Sequence, residues 1–325
     1  MILKLSQDTD YINKGKSLIY YETKPRLVFC YHFDSKTWST GCSSKDEGAH
    51  QRIEFLKKLI SSRVPDFHIK GISTLGIDRF TGGNMCHVLF DHFEREYRAS
   101  EKNLTYDNFL LCDTSWDWIK KTSENIIKPI HRVFYLKPYA LYLTDDLIVY
   151  NEDLRPKHPA NNCSQDYLTY LRNRFHEYAC KISSSETLAA NHKPETKRYA
   201  NKKIFVSRKN KVRGATNLKE VETVFSDHGF KTLYFEDLSF EDQILASFYA
   251  THFAGFHGAG LTNIIACQGN AVIYEVFTSK GSRAYVRIAK ALGNRYLAYD
   301  ERNSEQPLEV NCSKLEEALK TLPEN

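Results

Sequence analysis

From Lys203 to Tyr299 short apolar runs alternate with amphipathic stretches, and only a few residues separate one from the next. No other feature of the chain constrains the fold as strongly. Strands that alternate with helices over short connections are joined by crossovers, so they lie parallel with helices on both faces. Lys203-Ile204-Phe205-Val206-Ser207 is β-rich, and Leu218, Val221, Val224 and Phe225 follow at helical spacing before a stop at Gly229. Phe230 to Phe235 predicts the next strand. Ser239, with Asp242 three residues on, opens a helix carrying Ile244, Phe248 and Ala250. His252 to Phe256 and Ala271 to Phe277 predict two more strands, the second apolar on both faces as a central parallel strand is. A helix from Arg283 to Leu292 ends at Gly293, and Arg295 to Tyr299 is the last strand. The pattern is that of a Rossmann-like domain.

The first half is less regular. Strand candidates are Leu27 to Phe33, Phe67 to Lys70, Phe109 to Cys112, Val133 to Leu136 and Leu147 to Tyr150, with helices at Gln51 to Ile60 and Met85 to Tyr97. They suggest a second, more decorated α/β domain. A chain of 325 residues fits two medium domains, since single cores stop growing near roughly 250 to 300 residues. The Pro- and Asn-rich stretch Arg155 to Asn162 reads as the linker, which gives domains at 1–155 and 156–325. Ser164 is expected to cap a helix to Lys181. Ser313 with Glu316 is expected to cap a terminal helix through Leu322, free to pack back on the first domain.

Composition narrows the class. With 42% hydrophobic and 26% charged residues of mixed sign, the chain has apolar material for packed cores and is unlike a disordered one. The start turns polar too soon for a signal segment, and no apolar run approaches the roughly 20 residues that span a bilayer; a cytoplasmic location, or one peripheral to a membrane, is expected. Eight cysteines without a C-x-x-C pair argue for reduced thiols rather than a zinc ribbon or disulfide framework. Asp145-Asp146 reads as a turn and not a metal site. The sequons at Asn103, Asn162 and Asn311 are few enough to arise by chance. Eight basic residues and no acid lie between Lys197 and Arg213. That excess wants an anion, and without interleaved aromatics or a recognition-helix pattern the anion is not nucleic acid. A phosphate ligand, an acidic acceptor or an anionic membrane surface fits better.

The strongest local signal is Ala254-Gly255-Phe256-His257-Gly258-Ala259-Gly260-Leu261-Thr262-Asn263, small residues between a strand end and a helix start. Such a turn lets a phosphate approach the backbone, where free N–H groups and the positive helix end favour an anion. His257 adds a side-chain donor. Arg208 ends another strand at the same edge of the sheet, placed to neutralise a diphosphate. Glu275 sits inside an apolar strand and needs a partner. A ribose diol is one candidate and a structural ion pair the other.

These residues resemble glycosyltransferase family 61. The resemblance runs from Ile204 to about Phe277. It rests on Ser207-Arg208-Lys209, Arg213 followed by Asn217, Gly229-Phe230, Leu238-Ser239-Phe240 with Gln243, His257 to Asn263, and Val272-Ile273-Tyr274-Glu275. A second block, Gly82-Gly83-Asn84-Met85-Cys86-His87-Val88-Leu89-Phe90-Asp91, is similar to the family's Asn-x-x-His element followed by an acid. Gln268, where Pro often precedes the glycine, and Leu218, where an acid often follows Asn217, depart from the family pattern. The resemblance implies a GT-B arrangement of two Rossmann-like domains facing a cleft, a nucleotide-sugar donor, expected to be a UDP-sugar, on the second domain, and a glycan or glycoconjugate acceptor. It also implies inversion at the anomeric carbon, no metal and no cofactor. Arg208, His257 and Gly258 to Asn263 would hold the diphosphate and Glu275 the ribose, with Asn84, Arg213 and Gln243 in support. An inverting transfer needs a base, for which His87 and Asp91, four residues apart on a predicted helix, are the candidates. The alternative is a non-catalytic nucleotide-sugar- or glycan-binding protein derived from such an enzyme.

Overall fold

The computed structural model describes residues 11–23, 26–41, 47–75, 85–113, 117–127, 132–150, 163–184, 203–209, 214–278, 283–300 and 309–323. The chain forms two compact units, Met1–Cys163 and Ser164–Asn325. The stretch read as a linker lies outside the described residues.

In the first unit the strands are β1 (Tyr11–Asn13), β2 (Ser17–Thr23), β3 (Arg26–His32), β4 (Thr37–Gly41), β5 (Phe67–Leu75), β6 (Asn108–Cys112), β7 (Arg132–Leu136) and β8 (Leu141–Tyr150). They form one mixed sheet in the order β4-β3-β2-β8-β5-β6-β7, with β1 also paired to β8. From β8 to β7 the neighbours are parallel; from β8 to β4 they are antiparallel. Side chains alternate across β2: Ile19 joins Ile69, Leu110, Leu136 and Leu147 in one core. Leu18 and Tyr20 join Leu56 and Ile60 of helix α1 (Glu47–Ser62) in another. All five strands expected here exist. Beyond these, β1 and β4 are short and carry Asn, Ser and Thr, so no apolar run marks them, whereas β2 is a further strand built on the apolar run Leu18-Ile19-Tyr20-Tyr21.

Asp145 and Asp146 are not a turn. Both lie within β8, where the Asp145 carboxylate accepts from the Gly71 N–H at 3.0 Å and faces His68 Nε2 at 2.5 Å. Asp107 accepts from the Ile72 N–H at 2.7 Å. Asp107 and Asp145 stitch the register shift in β5 between Ile69 and Ile72, so Asp145 answers to a bulge and not to a loop. The helix read from Met85 is longer and irregular: α2 (Met85–His87), a π turn (Val88–His92) in which the Phe93 N–H reaches the Val88 carbonyl, and α3 (Phe93–Glu101).

The second unit opens with α5 (Gln165–Ser184), which follows α4 (Asp117–Lys121) in the chain; Ser164 caps α5 by accepting from the Tyr167 N–H at 3.1 Å. Its strands are β9 (Lys203–Ser207), β10 (Lys231–Tyr234), β11 (His252–Phe256), β12 (Val272–Phe277) and β13 (Arg295–Asp300). They lie in the order β10-β9-β11-β12-β13, all parallel, as the alternation requires. One face carries α6 (Leu218–Asp227) and the terminal helix α9 (Cys312–Lys320). There Phe225 stacks on Phe205 at 3.9 Å, and Val221, Leu315 and Leu319 close the core. The terminal helix thus has its buried side chains in its own unit's core. Its cap is Asn311, which accepts from the Lys314 N–H at 3.1 Å, and not Ser313. Ser239 caps α7 (Phe240–Phe248) through the Asp242 N–H at 3.0 Å as its spacing predicts. The helix after the glycine turn, Ala259–Ala266, is a 3-10 helix. It is followed by α8 (Ala284–Ala291).

Candidate functional site

In an open parallel sheet a ligand crevice forms outside the carboxyl ends of the strands, where successive connections leave in opposite directions. Here that point lies between β9, whose chain goes out to β10, and β11, whose chain goes on to β12. Arg208 directly follows β9 and His257 directly follows β11. Arg208 Nη2 donates to the His257 carbonyl at 3.2 Å. The guanidinium passes over Gly258, where a Cβ would stand 1.7 Å from Nη2, and Gly258 has φ +147. The backbone conformation restricts this position to glycine, and any Cβ would have to push the guanidinium aside. Gly260 serves differently: a Cβ there would meet Val206 at 3.0 Å, so its absence seats the 3-10 helix on β9. The Leu261 N–H is used by the Gly258 carbonyl at 2.9 Å. The N–H groups of Ala259 and Gly260 have no acceptor among the described residues, and with Arg208 they make a donor-rich, cationic corner.

His257 lies beside this corner. Its Nδ1 hydrogen-bonds a Glu275 carboxylate oxygen, and the Tyr296 hydroxyl donates to the other. Glu275 is 0% exposed. Register explains how it fits: its neighbours across the sheet are Gly255 and Ala298, which leave room for its side chain. The expected ribose contact for Glu275 therefore gives way to the ion-pair alternative, since a fully buried carboxylate with both oxygens engaged is not presented to a ligand. The His257 ring stacks on Phe277 (centroids 5.0 Å apart, 19° between planes) and meets the edge of Tyr285 at 5.7 Å. Its side chain keeps 11% exposure, and Nε2 has no partner among the described residues. Tyr296 was not singled out in the sequence. The signal was a lone acid in an apolar strand, which demands a donor on an adjacent strand.

The remaining candidates separate. Gln243 Nε2 donates to the carbonyls of Phe235 at 2.8 Å and Leu238 at 3.2 Å, so it braces the turn before α7. Asn217 pairs with both backbone groups of Val310, at 2.9 and 3.0 Å, and ties α6 to the segment before α9. Thr262 lies 3.3 Å from the Tyr285 hydroxyl and Asn263 Nδ2 donates to the Gly260 carbonyl at 3.3 Å, both facing inward. Lys209 pairs with Asp237 at 2.6 Å. Asn84 and Arg213 lie outside the described residues, as does the side chain of Asp91. His87 is half-buried at the end of α2. In α3, burial pushes the carboxyl of Glu96 up to about 7, a perturbed acid that no sequence pattern announced. Among the described residues no three His, Cys, Asp or Glu side chains are grouped to hold a metal, and no helix is long and apolar enough to cross a membrane.

The sheet order, the glycine turn and Arg208 define a class: an α/β protein with a Rossmann-like parallel sheet and a corner of hydrogen-bond donors at its switch point. The chain belongs to glycosyltransferase family 61, whose model matches residues 22–274. It is similar to the EGF domain-specific O-linked N-acetylglucosamine transferase of Gallus gallus, with 30% identity over 73 residues, 22% of this chain and 14% of that protein. It is also similar to a beta-1,2-xylosyltransferase of Arabidopsis thaliana, with 35% identity over 86 residues, 26% of this chain and 16% of that protein. The matched stretches thus span well under a quarter of these relatives' length.

Proposed function

We propose that the protein is an inverting, metal-independent glycosyltransferase of GT-B arrangement that moves a sugar from a nucleotide-sugar, a UDP-sugar first among them, to a glycan or glycoconjugate hydroxyl. The observation that carries this reading is Arg208 lying across Gly258 at the switch point, beside the N–H groups of Ala259 and Gly260. Family membership supplies the sugar chemistry. In this reading the acceptor oxygen bonds to the anomeric carbon as the bond from that carbon to the diphosphate oxygen breaks. The acceptor proton goes to His87 or Asp91. The negative charge that grows on the diphosphate is met by Arg208, His257 and the two free N–H groups. Their donors are fixed by the fold before the reaction, so no reorganisation is needed as charge develops.

The test is thermal unfolding of the wild type and Arg208→Ala with UDP, GDP, CMP and ADP, because a ligand that binds only the native state raises its apparent stability. A UDP-selective rise that Arg208→Ala abolishes, together with loss of sugar transfer in that variant, is expected. Full transfer by Arg208→Ala would overturn the diphosphate assignment. UDP binding with no sugar release to any glycan acceptor would favour the non-catalytic relative.

A further inference from the structure

We propose that Tyr296 and Glu275 are positioning residues that hold His257 as a hydrogen-bond donor, through Nε2, toward the diphosphate; this rests on the donor-site reading above. An ionised carboxylate only accepts hydrogen bonds, so Glu275 requires the hydrogen on Nδ1 of His257 and takes its second bond from the Tyr296 hydroxyl. The three residues come from the loop after β11, from β12 and from β13. The ring cannot turn freely: Phe277 covers a face, Tyr285 stands against the ring, and Glu275 fixes one edge. What remains is Nε2, on a side chain that keeps a small opening to solvent, in the residue whose carbonyl receives Arg208. Against an anionic phosphate oxygen, which only accepts, Nε2 must also carry a hydrogen. The ring is then a cation whose charge the buried carboxylate offsets, and Tyr296 keeps that carboxylate aligned.

The test uses the full chain labelled with 15N-histidine, with long-range 1H–15N spectra that report which ring nitrogen carries hydrogen; the His257 signal is the one missing from His257→Gln. In the free wild type Nδ1 should be protonated, and saturating UDP should protonate both nitrogens. Tyr296→Phe and Glu275→Gln should each shift the His257 signal and weaken UDP binding by about tenfold. Arg208→Ala should weaken UDP binding while leaving the signal of the free protein unchanged. A bare Nδ1 in the free wild type would overturn the proposal without recourse to any variant. So would a Tyr296→Phe protein with an unaltered His257 signal and unaltered UDP affinity, even if its melting temperature fell. Absence of UDP binding to the wild type would instead count against the donor-site reading, while the free-protein signal would still report on the positioning.

Discussion

The two sheets are built on different terms. All five strands of the second unit run one way, so every carboxyl end lies along a single edge; in the first unit only β8, β5, β6 and β7 form a continuous parallel block, and β2, β3 and β4 fold back as antiparallel neighbours. The uniform sheet can place Arg208 and His257, far apart in the chain, at one switch point. The mixed sheet spends its polar residues on its own irregularities, with Asp107 and Asp145 on the β5 bulge. Buried charge differs in the same way. In the second unit Glu275 is engaged by His257 and Tyr296 beside the strand ends. In the first, Glu94 takes Arg98 along the helix at 2.8 Å, and Glu96, 5% exposed, has an oxygen with no hydrogen bond among the described residues.

Removing an aromatic anchor from the second sheet is the harshest way to break this contrast. Phe225, stacked on Phe205 and edge-on to Phe230 and Tyr274, should cost about 4 kcal/mol as Phe225→Ala in urea unfolding. If the units unfold separately, a transition belonging to the first should stay where it is. Glu96 tests the first unit through pH. Its folded pKa is raised to about 7, so the stability it contributes is fully present below about 4.5 and is lost as pH rises to about 7. Glu96→Gln should therefore recover on the order of 3 kcal/mol at pH 8 and little at pH 4. Equal effects at both values would show the carboxylate to be solvated. Gly258→Ala sharpens the contrast at the site: a Cβ in the path of Arg208 should reduce UDP affinity roughly a hundredfold, about 2.7 kcal/mol, which calorimetry would read directly. Smallest is Asn311→Ala, the loss of a helix cap, worth about 1 kcal/mol and visible as a small drop in melting temperature with UDP binding intact.

Much of the second unit was legible because its signals are local. Short apolar runs and helical spacing set β9 to β13 and their helices, Gly229 and Gly293 follow the helices they were expected to end, and Ser239 caps α7. The glycine turn was legible as a turn between a strand end and a helix, and Arg208 as its neighbour at the same edge. In the first unit β1 and β4 were hidden, since short strands carrying Asn, Ser and Thr hold no apolar run, while β2 and the start of β8 lie beyond the expected strands although Leu18 to Tyr21 and Leu141 to Leu143 are apolar. The order of elements in the second unit and the glycine turn were thus set by residue spacing, and the family by the motifs that resemble it. Only the tertiary structure decided that Glu275 turns to His257 and Tyr296 rather than to a ribose, that Arg208 occupies the space Gly258 leaves, and that Asn217 holds Val310. Each of those contacts depends on strand register and close packing between residues distant in sequence, and no local pattern of residue types encodes which of several partners will be within reach.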